Sequence, residues 1–425
     1  SLSCQRLNRL QNKLDLLLID SNTGNSKVIL SESSNTYIDV TNDLTFLTNN
    51  KSFIWSSELG GFNHLYHYSL EGKMLNQITT GNWEVIAYKG FDEVSQTLYF
   101  TAAQSSSINK DVCKVKLDGT SFKVISEKTG YNEPNFSKTF DFYINTYSNA
   151  NTPSEFTLND NNGKPVRSLE ENSALKTKLK EYRLSSKEFI VIKTPDGTEL
   201  NTWMIKPVSF DASKKYPVIF VIYGGPGRNT VLNSWEGAAY MWHQYLAQLG
   251  YIVVSVDNRG TRYKGEKFKK STYGNLGMYE TLDQIEAAKY FGTLSYVDKN
   301  RIGIQGWSYG GYLSSLCITK GNDVFKTAIA VAPVTNWKYY DSIYTERYLG
   351  LPQDNAKGYE DNSPINFTEK LKGNYLLMHG TADDNVHFQN TVEMVTSLQK
   401  ANKQFDFMMY PDKNHGISGG NTRLH

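Results

Sequence analysis

Residues 306–310 read Gly-Trp-Ser-Tyr-Gly, a G-x-S-x-G centred on Ser308. A serine hydroxyl attacks a carbonyl only when a base takes its proton and an acid orients that base. The pentapeptide alone arises by chance, so its setting decides its meaning. The run RIGIQ (301–305) precedes it and the small-residue stretch YGGYLSSLCITK (309–320) follows it. That is a strand, a tight turn and a helix, the context in which such a serine is a nucleophile.

Four of the seven histidines follow Ser308: His379, His387, His415 and His425. In a fold with this serine turn the chain order is serine, acid, histidine. His379 closes the apolar run YLLMH and reads as part of the sheet edge, His387 opens the next helix, and His425 is the last residue. His415 lies in YPDKNHG, a turn-rich segment just past the apolar run FDFMMYP, where a base belongs. The segment HGTADDNVHF offers Asp383 and Asp384 as the acid, and either could instead cap the helix that follows. Spacing does not separate the two. For an oxyanion, the backbone N–H of Tyr309 is the first donor. The second must come from VIYGGPGRN, through its glycine amides or the phenol of Tyr223, whose plainer reading is a half-buried strand aromatic. The stretch VAPVTNWKYYDSIYTERYLG holds Trp337, Tyr339, Tyr340, Tyr344 and Tyr348. Composition leaves open whether these rings are core or the flat walls of a pocket for a compact apolar ring such as proline.

These residues need a scaffold. From about residue 191 onward, fully apolar runs at 216–225, 251–260, 301–306, 327–333, 375–380 and 405–411 alternate with helical candidates at 234–249, 278–292, 309–320 and 387–401. In the second of these helices Leu282, Ile285, Ala288 and Phe291 recur at helical spacing. Apolar strands joined by helices predict an α/β-hydrolase domain over 191–425, its mostly parallel sheet covered by helices. The first part of the chain repeats instead. Four strand–turn–strand segments close on Gly24, Gly72, Gly119 and Gly163, at separations of 48, 47 and 44 residues. A period of roughly 45 residues with tight-turn chemistry predicts propeller blades, the alternative being a β-sandwich with coincidental spacing. The expectation is a partial β-propeller of about four blades over 1–172, a charged helical connector at 173–190, and blades missing upstream, because the chain opens almost inside a hairpin.

A chain of 425 residues is long enough for two domains. Its formal charge of +2 argues against a binder of nucleic acid or anionic membrane that works through a basic surface. No apolar run approaches the length of a membrane span. Cys4, Cys113 and Cys317 stand in no metal-like spacing and form no disulfide framework. No metal and no cofactor is expected. The N-terminus carries no secretory signal, which leaves the compartment open.

Taken together, GWSYGGY, HGTADDNVHFQ, VAPVTNWKYYDSIYTERYLGLP, VIYGGPG, TTGNWEV and LEENSAL resemble the dipeptidyl peptidase IV branch of the prolyl oligopeptidase family. The resemblance runs through nearly the whole chain. It implies an eight-bladed propeller beside an α/β-hydrolase domain, and release of dipeptides from peptide N-termini with proline or alanine at the second position. It implies Ser308 as nucleophile, His415 as base and Asp383, the first of the two aspartates, as acid. Tyr223 matches the oxyanion tyrosine, paired with the Tyr309 amide. Tyr309, Val334, Trp337, Tyr340, Tyr344 and Val386 match the proline pocket, and Asn385 matches a residue that holds a substrate carbonyl. It further implies a homodimer at full length and a periplasmic or secreted location. Two departures follow. The glutamate pair that grips the substrate amine in the family has no counterpart, since Glu170-Glu171 lies where the charged stretch leading into the connector begins. The chain also stops ten residues past His415, short of the family's final helix, so it reads as a fragment truncated at both ends. Prolyl tripeptidyl peptidases share the pocket and triad and are the alternative, ahead of an esterase of the same fold or a non-catalytic binding protein.

Overall fold

Alternation of side chains decides the architecture of the first unit. The computed structural model describes residues 2–423 and 425. By contact it separates into Ser1–Arg183 with Leu232–Ala238 and Arg262–Lys270, and a second unit of Leu184–Val231, Ala239–Thr261 and Ser271–His425. The first unit holds antiparallel sheets in chain order: three strands within Leu2–Ser33, then four each within Leu44–Gln77, Val85–Val124 and Tyr131–Glu170. Inner strands 52–57 and 97–102 of the second and third sheets are buried on both faces. Phe53 and Trp55 pack with Leu14, Leu16, Tyr66 and Tyr68, whereas Ile54 between them packs with Leu65, Leu98 and Phe100. One sheet further on, Tyr99 turns the other way and joins Val112, Ile125 and Tyr143. The two-residue period of a strand thus sends alternate side chains to the sheet before and the sheet after.

The four turn glycines explain why the repeat is spaced as it is. Gly24, Gly72, Gly119 and Gly163 adopt φ of 73°, 85°, 85° and 89°, the left-handed region that glycine enters without strain. Three of them also sit against a neighbouring sheet: a Cβ would crowd the carbonyl of Ile29 at Gly72, Ile78 at Gly119 and Ile125 at Gly163. The same turn thus meets the same kind of neighbour three times. A hollow of about 750 Å³ also belongs to this unit. Lys269 crosses it to Asp39 at 2.6 Å and to Glu58, and no candidate site residue lines it.

The second unit is built on eight strands: β1 (Lys187–Lys193), β2 (Glu199–Ile205), β3 (Tyr216–Ile222), β4 (Ile252–Asp257), β5 (Val297–Trp307), β6 (Thr327–Val331), β7 (Asn374–Gly380) and β8 (Asp406–Tyr410). Their order in the sheet is β1-β2-β4-β3-β5-β6-β7-β8. The β1–β2 and β2–β4 pairs are antiparallel, and every pair from β4 to β8 is parallel. The apolar runs in the sequence follow from burial, for all six residues of β4 are buried. The helices that matter for the site are α1 (Ala238–Gln248), α2 (Met278–Thr293), α3 (Tyr309–Lys320), α4 (Ser342–Leu349) and α5 (Gln389–Lys400).

Two local expectations are corrected. In α2, Ile285, Ala288 and Phe291 are buried but Leu282 is 46% exposed. The buried face runs through Glu280, Thr281, Gln284 and Ala287 as well, and at 100° per residue Leu282 falls on its far side. Polar residues buried in the helix hid the true stripe. Second, α5 starts at Gln389 with Phe388 at its N-cap and no side-chain cap. His387 therefore precedes the helix, and neither Asp383 nor Asp384 caps it.

Candidate active site

The register of the parallel strands lines up their C-terminal ends. Ile222 of β3 lies beside Gly306 of β5, Trp307 beside Val331 of β6, Val331 beside Met378 of β7, and Gly380 beside Tyr410 of β8. The chain also reverses its direction of travel across the sheet at this place, since β4 lies on one side of β3 and β5 on the other. Such a switch point leaves a crevice at the strand ends where ligands bind. The residues just past these ends include Tyr223, Ser308, Val334, Trp337, Asp383 and His415.

Ser308 occupies the turn between β5 and α3 with φ 58° and ψ −117°, a strained backbone for a residue with a Cβ. The flanking glycines make the turn possible. A Cβ on Gly306 would collide with the backbone of Gly310, and a Cβ on Gly310 would collide with the carbonyl of Ile222. The Ser308 N–H donates to the Val331 carbonyl at 2.8 Å. The Tyr309 N–H is among the first-turn donors of α3, which have no partner within the helix.

Asp383 and His415 meet: the His415 Nδ1 stands 2.7 Å from Asp383 Oδ2. The carboxylate accepts, so Nδ1 carries the hydrogen and Nε2 is left with its lone pair. The Asp383 side chain is fully buried. Burial pushes its pKa up, but hydrogen bonds from His379, His415 and the Asn385 N–H outweigh that and hold the carboxyl well below the usual range. The Asn385 and Val386 N–H groups both reach Oδ1 at 3.0 Å. Asp384 is exposed, so of the two aspartates Asp383 is the one that meets His415. Among the described residues the Ser308 hydroxyl makes no hydrogen bond. The link between its turn and His415 runs through Trp307, whose indole N–H donates to the His415 carbonyl at 3.0 Å.

The aromatic stretch forms a connected wall. Trp337 lies 5.7 Å from Tyr309, 6.0 Å from Tyr340 and 6.1 Å from Tyr344 between ring centroids. Tyr223 lies 6.1 Å from Tyr309. Val334 and Val386 are buried beside these elements, and Tyr340 and Tyr344 are half-buried. The Tyr340 hydroxyl donates to Asn385 Oδ1 at 2.7 Å, which leaves the Asn385 amide N–H groups as the free end. A cleft of about 720 Å³ opens here, lined by Tyr340, Asp384, Asn385, His387 and His415 among others.

Two residues of this site escaped the reading of the sequence. His379 is indeed on β7, but it is fully buried and its Nε2 lies 3.1 Å from Asp383 Oδ2. Glu280 is buried in α2; its Oε1 accepts from the Tyr309 hydroxyl at 2.7 Å and its Oε2 from the Gly277 N–H at 2.9 Å. Burial pushes the Glu280 carboxyl up to about 8 against these bonds. Nothing in the sequence marks Glu280, because the buried face of α2 also carries Thr281, Asp283 and Gln284.

Two family patterns match this chain: the Prolyl oligopeptidase family over residues 238–425, and the Dipeptidyl peptidase IV (DPP IV) N-terminal region over residues 1–154. The crystal structure of Porphyromonas gingivalis dipeptidyl peptidase 4 superposes on all of the chain with a TM-score of 0.96 at 43% identity. The chain belongs to the dipeptidyl peptidase IV branch of the prolyl oligopeptidase family. It covers 60% of that bacterial structure. A putative dipeptidyl aminopeptidase IV from Bacteroides ovatus gives a TM-score of 0.92 at 30% identity, with 63% of its chain covered. Among curated members of the branch, a probable dipeptidyl-aminopeptidase B of Arthroderma gypseum is 42% identical over 84% of this chain, and dipeptidyl peptidase 4 of Trichophyton equinum is 35% identical over 98%. The chain spans 40% and 56% of the length of those two relatives.

Proposed function

We propose that the whole protein is a serine exopeptidase that releases dipeptides ending in proline or alanine from peptide N-termini. The observation that carries this is the 2.7 Å Asp383–His415 bond, made at the same edge of the sheet as the strained Ser308 turn. In this reading His415 Nε2 takes the Ser308 proton as Oγ attacks the carbonyl, and returns it to the leaving amine. Asp383 holds the imidazole in that tautomer. Water then deacylates the serine ester by the same route. The Tyr309 N–H and the Tyr223 hydroxyl stabilise the oxyanion, each donor contributing roughly 3–4 kcal/mol. Tyr309, Val334, Trp337, Tyr340, Tyr344 and Val386 wall the proline pocket, and the Asn385 amide donates to a substrate carbonyl. The chemistry uses no metal or cofactor.

The same reading makes the first unit part of a β-propeller, its sheets about four of the blades, with 1–172 as propeller, 173–190 as connector and 191–425 as hydrolase domain. Peptides are the partners, and a homodimer is the expected assembly. The test is Ser308→Ala in the whole protein, which abolishes Gly-Pro-anilide hydrolysis with the melting curve unchanged; persistent turnover in that variant sinks the assignment. Ala-Ala-Pro-anilide alongside distinguishes tripeptide release, and a simple acyl ester turned over far better than either anilide favours an esterase.

A further inference from the structure

We propose that His379 is a positioning residue for the acid of this site, an inference that rests on the roles given above to Asp383 and His415. Its imidazole contacts three partners. Nε2 lies 3.1 Å from Asp383 Oδ2 and 2.9 Å from the Val386 carbonyl, and Nδ1 lies 2.6 Å from Thr391 Oγ1 on α5. Both partners of Nε2 are acceptors, so Nε2 carries the hydrogen. Nδ1 then accepts from the Thr391 hydroxyl. The ring of Phe388 closes its face edge-on at 5.5 Å.

The consequence lies in the shared oxygen. Asp383 Oδ2 receives both the His415 Nδ1–H and the His379 Nε2–H, while Oδ1 receives two backbone N–H groups. A carboxylate with four donors around it cannot rotate without breaking two bonds at once. His379 therefore keeps Oδ2 aimed at His415 and ties the Val386 carbonyl, behind the proposed proline pocket, to the same ring. Among the described residues, the titratable groups bonded to His379 are Asp383 and, through the common oxygen, His415; α5 contributes Thr391, with Phe388 just before it.

The test compares three variants of the whole protein. In glutamine the amide nitrogen reaches the place of Nε2, whereas in asparagine it reaches only that of Nδ1. Measured as kcat per fluorophosphonate-titrated site, His379→Asn and His379→Leu fall roughly 10- to 100-fold, the loss of a hydrogen bond to a charged group. His379→Gln keeps at least a third of wild-type kcat. A merely structural role lowers the number of titratable sites but not kcat per site. Wild-type kcat per site in Asn and Leu overturns the proposal, as does a folded Gln variant as slow as Leu. A second measurement stands if the variants do not fold: with ¹⁵N-labelled imidazoles in the wild-type protein, the His379 resonances show the Nε2–H tautomer at neutral pH, and an Nδ1–H tautomer overturns the proposal. Failure here stays distinct from failure of the peptidase reading, which Ser308→Ala alone decides.

Discussion

Replacing Asp383 by asparagine changes one atom and reverses the proton logic of the site. Every group around the carboxylate donates: His415 at 2.7 Å, His379 at 3.1 Å, and the Asn385 and Val386 N–H groups at 3.0 Å. An amide has one oxygen to offer. It stays where two backbone donors converge, at Oδ1, so the NH₂ lands at Oδ2 against two imidazole N–H groups. His415 relieves the clash by moving its proton to Nε2, the nitrogen that takes the Ser308 proton in the proposed mechanism. Expected is a loss of about 10⁴ in kcat, or about 5.4 kcal/mol of barrier, as for the same change in a serine protease triad. The assay is steady-state Gly-Pro-anilide hydrolysis, with circular dichroism and melting to show that the variant folds. Asp384→Asn is the control: that side chain is exposed, and its activity stays within about twofold of wild type because it touches none of these donors. A folded Asp383→Asn enzyme within tenfold of wild type, or an equally impaired Asp384→Asn, refutes the reasoning.

Tyr340→Phe removes the hydroxyl that holds Asn385 Oδ1. KM rises roughly fivefold with kcat within about twofold, as expected when a neutral hydrogen bond worth about 1 kcal/mol orients a group that only binds; a change confined to kcat contradicts the role given to Asn385. Glu280 and Asp383 bend the pH–stability curve in opposite directions. Asp383 is depressed in the fold, so its stabilisation is present above its unfolded pKa of about 4 and lost as pH falls through the native value. Glu280 is raised, so the stability linked to its proton is complete below its ordinary 4.5 and lost as pH climbs through about 8. Melting temperature against pH should therefore decline less between pH 5 and 9 in Glu280→Gln than in wild type, and parallel curves argue against a buried protonated carboxyl.

What the sequence revealed and what it hid divide along contact range. The Ser308 turn is written in five consecutive residues because a Cβ on Gly306 would collide with Gly310 inside the turn itself. The turn glycines of the first unit are legible because their left-handed φ is a demand of each turn itself. Asp383 could be told from Asp384 only by resemblance, because the choice depends on which carboxylate faces a loop 32 residues later. His379 and Glu280 were passed over for a subtler cause. Each sits where its element predicts an apolar residue, and nothing local says that its polar atoms end at Asp383 or Tyr309. The Leu282 error has the same origin: Glu280, Asp283 and Gln284 are buried in α2, so a hydrophobic stripe read from apolar residues alone pointed the wrong way.

The aromatic stretch shows why core and pocket were not separable from composition, for in the proposed reading the alternatives are not exclusive. Trp337 is 1% exposed and Tyr309 3%, the burial of core residues, yet they are the rings assigned to the substrate. Tyr312 packs edge-on to Trp337 at 4.9 Å and to Tyr309 at 5.1 Å, and its hydroxyl donates to the carbonyls of Leu276 and Asn362. Glu280 holds the outer end of Tyr309 from the opposite helix. A flat wall that selects a five-membered ring by fit has to be immobile, because a methylene of slack forfeits roughly 1 kcal/mol of discrimination. Burying the wall in the core is what makes it immobile. The density of aromatics that reads as core is therefore the physical condition for the proposed pocket, and the polar atoms threaded through it, Glu280 and the Tyr312 hydroxyl, hold the rings of Tyr309 and Tyr312 in place.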